Sequence, residues 1–318
     1  MDWKRFFDGL GLNGTAWQWR IIRWQNAWEQ RKARWRGGRQ HVVYQHKVCP
    51  HCGALVDRHD ANCLRCGTAV GSWRGQALLR AVGLVLPAWC PLTVLLVAAN
   101  VAWFTLTVLG FGLRGLFAPD PADLWKMGAL VPAVFWEGGP WRLITYGYEH
   151  GGLWHILFNM LALSQVGPFL EREFGGKRFF AAYTLALLGG GVADLLIRPH
   201  LFAPIVGASG ALFGLIGLGL SHAHFRGGAL GQEQRNFFLK WALYGFLFGY
   251  MIGADNIAHG GGFVVGLALG WLLEREQRAA GPRLDALWTV LAYAFAVLTL
   301  AAFLWLGMQR LGWGGPAV

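Results

Sequence analysis

Ser209 lies in IVGASGALFG, residues 205–214, flanked by small residues in a stretch that carries no charge. A serine hydroxyl becomes a nucleophile only when a base within hydrogen-bond reach removes its proton, and His259, in NIAHGGGFVVG, is a candidate base. His155 and Asn159, in WHILFNM, are four residues apart and so share one face of a helix. Two such donors, joined by the backbone N–H of Ser209, suit an oxyanion. Together these groups could perform acyl transfer. No carboxylate is clearly placed to orient His259: Asp255, four residues earlier, reads as a helix N-cap. The sequence therefore points to a dyad. Asp194, which this chemistry does not use, reads as an interfacial carboxylate rather than a catalytic one.

A second constellation lies far from the first. Cys49, Cys52, Cys63 and Cys66 form C-x2-C-x10-C-x2-C with a glycine after each pair. Two such knuckles turn four thiolates toward one tetrahedral centre, which predicts a structural Zn2+ ribbon over residues 41–72. His51 and His59 read as bystanders, and Cys90 as a small apolar core residue. None of the acyl-transfer residues needs a metal or cofactor.

The elements that position these residues must lie in lipid. The chain is 55% hydrophobic and 14% charged over 318 residues, too apolar for an ordinary soluble domain. Apolar runs near 88–113, 152–170, 179–197, 204–224, 237–254, 256–273 and 286–308 approach the length needed to cross a bilayer, predicting an all-α polytopic membrane protein of seven spans. Lys240 interrupts the fifth, where a lysine near a helix end can snorkel to the interface. Half of the 28 Lys and Arg residues lie in the first 80 positions, and no apolar segment with a small-residue cleavage site follows the N-terminus. Connections after even-numbered spans are richer in Lys and Arg than those after odd-numbered ones, which predicts a cytoplasmic N-terminus.

His155 with Asn159, Ser209 and His259 all lie near the starts of even-numbered spans. Parity alone sets them at one depth beneath the same outer surface. A lone Ser or His in a membrane helix more often bonds a neighbouring helix than catalyses, so the coincidence in depth carries the argument. Gly210 with Gly214, and Gly262 with Gly266, are small-xxx-small pairs that would let the fourth and sixth spans approach closely.

At these residues the chain resembles the rhomboid family of intramembrane serine proteases. The likeness runs through Trp141-Arg142, HILFN, GASG and AHGGGFVVG, in order, and covers roughly residues 88 to 275. It implies a six-helix core over residues 85–275 that cleaves the transmembrane segments of protein substrates; the seventh apolar run, an additional transmembrane helix over 284–310, departs from that core, although some members of the family carry such an extra C-terminal helix. It also implies Ser209 as nucleophile, His259 as base, His155 and Asn159 as oxyanion donors, and a structural role for Trp141 and Arg142 in the first external loop. Phe213 stands where many members carry Tyr; its ring can still pack on the His259 imidazole. The expected location is the plasma membrane, with the active site opening outward.

Within residues 1–40, Trp17, Ile21, Trp24, Trp28 and Trp35 share a helical face ringed by Arg20, Arg23, Arg31 and Arg34. This pattern suits a helix lying on the anionic inner leaflet of a lipid bilayer. Stacking on nucleic acid is disfavoured. A cytoplasmic partner for the zinc ribbon is left open, and the alternative function is a membrane-anchored ribbon that recruits partners without proteolysis, which would leave Ser209 and His259 without purpose.

Overall fold

The computed structural model describes residues 46–49, 55–57, 59–67, 70, 90–251, 254–278 and 284–311, and singly 15, 25 and 28. Contacts divide the chain into two units, Met1–Gln76 and Ala77–Val318. The Trp-rich face expected over residues 1–40 falls outside the described residues except for Trp28, which is helical and half exposed.

In the first unit, β1 (His46–Val48) pairs antiparallel with β2 (Leu55–Asp57), Lys47 standing opposite Val56. Val56 and Val70 are buried with Cys49 and Cys63 in a small core of their own.

The second unit is helical. In chain order come α1 (Pro91–Phe117), the short α2 (Pro121–Lys126), α3 (Phe135–Gly138) and α4 (Arg142–Thr145), then α5 (Leu153–Phe174), α6 (Gly176–Ile197), α7 (Ser209–Arg226), α8 (Gly228–Met251), α9 (Asn256–Arg278) and α10 (Asp285–Arg310). Each of the seven expected apolar runs falls on a long helix. Among the described residues α1, α5, α6, α9 and α10 are long and apolar enough to cross a bilayer by length and composition. The other two differ for separate reasons. Helix α8 begins at Gly228, well before the expected start at 237, because the polar turn around Gln232 to Arg235 continues the helix beyond its apolar part. Helix α7 has only 18 residues and is buried along nearly its whole length against α5, α6, α8 and α9. Protein rather than lipid surrounds it, so polar residues such as Ser221 and His222 are tolerated. His222 lies between Glu173 of α5 and Glu274 of α9, at 3.3 and 3.5 Å, tying three helices at the end remote from Ser209.

Glycine sets the contact between α7 and α9, the most extensively packed helix pair. A Cβ on Gly262 would strike the Gly210 carbonyl, and one on Gly266 would strike the Gly214 carbonyl. The backbones therefore touch directly, as the glycine spacing leads one to expect. Elsewhere, carboxylates close helix starts. Glu171 of α5 accepts the N–H groups of Leu92 and Thr93, at 2.9 and 2.7 Å, and the Thr93 hydroxyl, satisfying orphan donors at the start of α1. Asp255 accepts the N–H groups of Ile257 and Ala258, each at 3.1 Å, and so caps α9.

The segment between α1 and α5 folds into short helices that hydropathy did not reveal. Its tie to the chain ahead of α7 matters most. Leu130 and Ile205 exchange backbone hydrogen bonds of 3.1 and 2.7 Å, and Gly207 N–H donates to the Tyr146 carbonyl at 2.9 Å. These bonds fix the strand-like stretch that delivers Ser209 to the start of its helix.

Candidate active site

Ser209 is the first residue of α7. The first intrahelical bond reaching back runs from Leu212 N–H to the Ala208 carbonyl, so the N–H groups of Ser209 and Gly210 have no acceptor within the helix. They point the positive end of the helix dipole at the space beside the serine hydroxyl. Gly207, two residues earlier, has φ +115°, and a Cβ there would come within 2.7 Å of His155 Nε2 and 3.6 Å of Asn159 Nδ2. Glycine at 207 is thus required twice, by its backbone angle and by the two polar side chains that crowd it.

The hydrogen bonds of His155 assign its tautomer. Gly151 N–H donates to Nδ1 at 3.2 Å, so the ring proton sits on Nε2, the atom that faces Gly207. Asn159 spends one amide hydrogen on the His155 carbonyl at 3.0 Å and retains the other. Both side chains therefore present donors on the face of α5 turned to residues 207–209.

His259 Nδ1 lies 3.0 Å from Asn256 Oδ1. The other end of that amide, Nδ2, faces the Phe246 carbonyl at 3.5 Å, which fixes Oδ1 as the acceptor and Nδ1–H as the donor. Nε2 is then the basic nitrogen. The ring of Phe213 stacks on the imidazole with centroids 4.3 Å apart, and Phe246 meets it edge-on at 6.2 Å. Ser209 and His259 line one cavity of about 1000 Å³ with His155, Asn159 and Phe213. No hydrogen bond joins Ser209 to His259 among the described residues.

Sequence reasoning missed Asn256, which stands one turn before His259 on the same helix face and needed no carboxylate to orient the ring. It also missed Gly245 and Gly249 of α8. A Cβ on Gly245 would meet the Phe213 ring at 2.6 Å, and one on Gly249 would meet Asn256 Oδ1 at 2.9 Å. Their four-residue spacing was legible as another small-xxx-small pair. Asp194 gains a structural explanation: Arg198 bridges it to Asp255 and so joins the end of α6 to the start of α9.

Trp141 and Arg142 lie outside the cavity. The Arg142 guanidinium is buried, donates to the carbonyls of Trp125 and Ala129 at 2.7 and 3.0 Å, and lies over the rings of Trp125 and Trp141. It fastens the segment between α1 and α5 to itself.

A family model for the rhomboid domain matches residues 137–276. YdcA of Bacillus subtilis (strain 168), a protein named for the rhomboid proteases, is 33% identical over 144 residues, covering 45% of this chain and 72% of that protein. The chain belongs to the rhomboid family. RHOMBOID-like protein 5 of Arabidopsis thaliana is 37% identical over 161 residues, covering 50% of this chain and 52% of its own. Rhomboid protease GluP of Bacillus subtilis (strain 168) is 31% identical over 227 residues, covering 68% of this chain and 40% of its own. This rhomboid chain thus spans about half the length of that plant relative. His155, Asn159, Ser209 and His259 all fall within the matched rhomboid domain, whereas the cysteine cluster, α1 and α10 fall outside it.

In the first unit, Cys49, Cys63 and Cys66 bring their sulfurs within 4.8 Å of one another, and the Cys49 and Cys66 sulfurs are 3.5 Å apart. With Zn–S bonds of about 2.3 Å, the edge of a tetrahedral site is about 3.8 Å, so the spacing fits thiolates sharing one metal. Gly67, with φ +72°, closes the second knuckle as its N–H bonds the Cys63 carbonyl at 2.8 Å. Cys52 lies outside the described residues.

Proposed function

We propose that this rhomboid is an intramembrane serine endopeptidase acting on the transmembrane segments of membrane proteins. His259 Nε2 takes the Ser209 proton as Oγ attacks the scissile carbonyl carbon, and returns it to the leaving amine; water then repeats the cycle on the acyl-enzyme. His155 Nε2–H, Asn159 Nδ2 and the Ser209 N–H carry the oxyanion. The observation that supports this reading best is the crowding at Gly207, where two side-chain donors meet the free N-terminus of α7. Asn256 does for His259 what a carboxylate does in a triad.

The cavity also suits the substrate class. Its wall runs along α5 through Trp154 and Phe158 and along α8 through Tyr244 and Phe248. Phe158 and Phe248 meet edge to face at 5.2 Å, and both are partly exposed on the outside of the helical unit. A transmembrane segment would enter between these rings. The dyad sits near the outer ends of α5, α7 and α9, with the N-terminus cytoplasmic and the protein in the plasma membrane.

Residues 41–72 are proposed as a zinc ribbon, with Cys49, Cys52, Cys63 and Cys66 as ligands and a cytoplasmic partner as its target. Residues 85–275 form the protease core and 284–310 an additional span.

Labelling with a fluorophosphonate or an isocoumarin in detergent tests the proposal. Wild-type chain should react, and Ser209→Ala should not. Cleavage of a single-span substrate should be lost in Ser209→Ala and in His259→Ala, with the double variant no worse than either, because the pair acts as one unit. Full turnover in either variant would end the protease reading.

A further inference from the structure

The seventh long helix, α10, lies outside the matched rhomboid domain, yet it reaches the active site through a chain of side-chain contacts. Its Phe303 ring packs edge to face on Trp103 of α1, with centroids 4.5 Å apart, and on Tyr148, at 5.2 Å. One and two turns from there its other anchors close on the same external segment. Leu306 is 2% exposed and abuts Gly128, and Arg310 Nη1 lies 3.0 Å from Met127 Sδ. Trp103 Nε1–H donates to the Met127 carbonyl at 3.2 Å, so Phe303, Trp103 and Met127 form one packed group.

Tyr148, Glu149 and His150 form the turn that precedes α5, and all three are buried. Glu149 accepts the Thr107 hydroxyl of α1 at 3.1 Å. His150 Nδ1 bonds the Tyr148 carbonyl at 3.1 Å, and its ring meets the His155 ring edge-on at 5.2 Å. The imidazole of His155 is otherwise held by Gly151 N–H, from the same turn. Whatever supports that turn also sets where His155 Nε2 points.

We propose that α10 is a positioning element for the oxyanion donor His155, acting from Phe303 through the Tyr148–His150 turn. The inference rests on the protease reading above. It makes the additional helix part of the catalytic apparatus rather than a membrane anchor.

A double-mutant cycle on the full chain in detergent tests it. Phe303→Ala should lower kcat for a single-span substrate by roughly tenfold with KM little changed, because a sub-ångström displacement of one donor weakens transition-state binding alone. In a His155→Ala background the same substitution should cost less than about twofold, since the group it positions is gone. Phe303→Leu keeps apolar volume and should lose less, and Val297→Ala, on the lipid-exposed face of α10, should change nothing. Should Phe303→Ala fail to fold, the same cycle is run with Phe303→Leu. Additive losses with His155→Ala, or full activity in the Phe303 variants, would overturn the inference while leaving the protease reading intact. An inactive wild-type chain would overturn both.

Discussion

The imidazole of His259 lies nearly flat against the ring of Phe213, with centroids 4.3 Å apart and planes inclined by 17°. Asn256 Oδ1 holds Nδ1 of the same ring from the side, so stacking fixes the plane and one hydrogen bond fixes the rotation within it. Phe213→Ala should remove the first constraint and lower kcat by on the order of tenfold or more, whereas Phe213→Tyr, which keeps an aromatic ring on the imidazole, should change the rate only modestly. Steady-state cleavage of a single-span substrate checks both.

Asn256→Ala removes the second constraint and frees the tautomer. A drop in kcat of roughly tenfold to a hundredfold is expected with KM held, and Asn256→Asp should recover part of it by accepting from the same Nδ1–H. Equal rates for wild type and Asn256→Ala would show that stacking alone suffices.

Gly262→Ala and Gly266→Ala each drive a methyl into a backbone carbonyl of α7, an atom that cannot rotate away. Each should destabilise the helical unit by about 1–3 kcal/mol or more, the range for overpacking a close-packed core. Thermal unfolding in detergent reads this directly, and Gly260→Ala on the same helix, where a Cβ meets open space, is the control.

Burial pushes the Glu149 carboxyl up to about 8, the Thr107 hydroxyl opposing the shift only in part. A carboxyl raised in the folded state stabilises fully below its ordinary value of 4.5, and that contribution is gone once pH has risen through about 8. Melting temperature should therefore fall as pH rises from about 4.5 to about 8, this contribution levelling off above that. In Glu149→Gln, which stays neutral, that fall should be smaller, and an unchanged profile would reassign it to another group.

Zinc and chemistry should be separable. The full chain should carry about one zinc, and Cys49→Ser with Cys52→Ser should release it, because the binding free energy of so small a module is largely its folding free energy. Labelling of Ser209 should persist in that variant. Loss of labelling in a chain whose helices remain folded would couple the metal to the catalytic unit.

The long helices beneath the seven apolar runs and the glycine spacings of α7 and α9 were legible in the sequence. Each depends on bilayer thickness or helical period, which are local properties of the chain. The clustering of Cys49, Cys63 and Cys66 was readable from the paired-cysteine spacing, whereas the pairing of β1 with β2 was not. Whether Asn256 faces the imidazole, why Asp194 pairs across Arg198 with Asp255, and how Phe303 comes to bear on Tyr148 were not. Those contacts join residues whose separation in space is set by how the helices rotate and pack, and no periodicity records that rotation. The short helices between α1 and α5 were hidden too, because they are held by buried Arg142 and by the backbone bridge from Leu130 to Ile205 rather than by any repeat of their own. A single chain states which segments are long apolar helices; only close packing decides which of their residues touch.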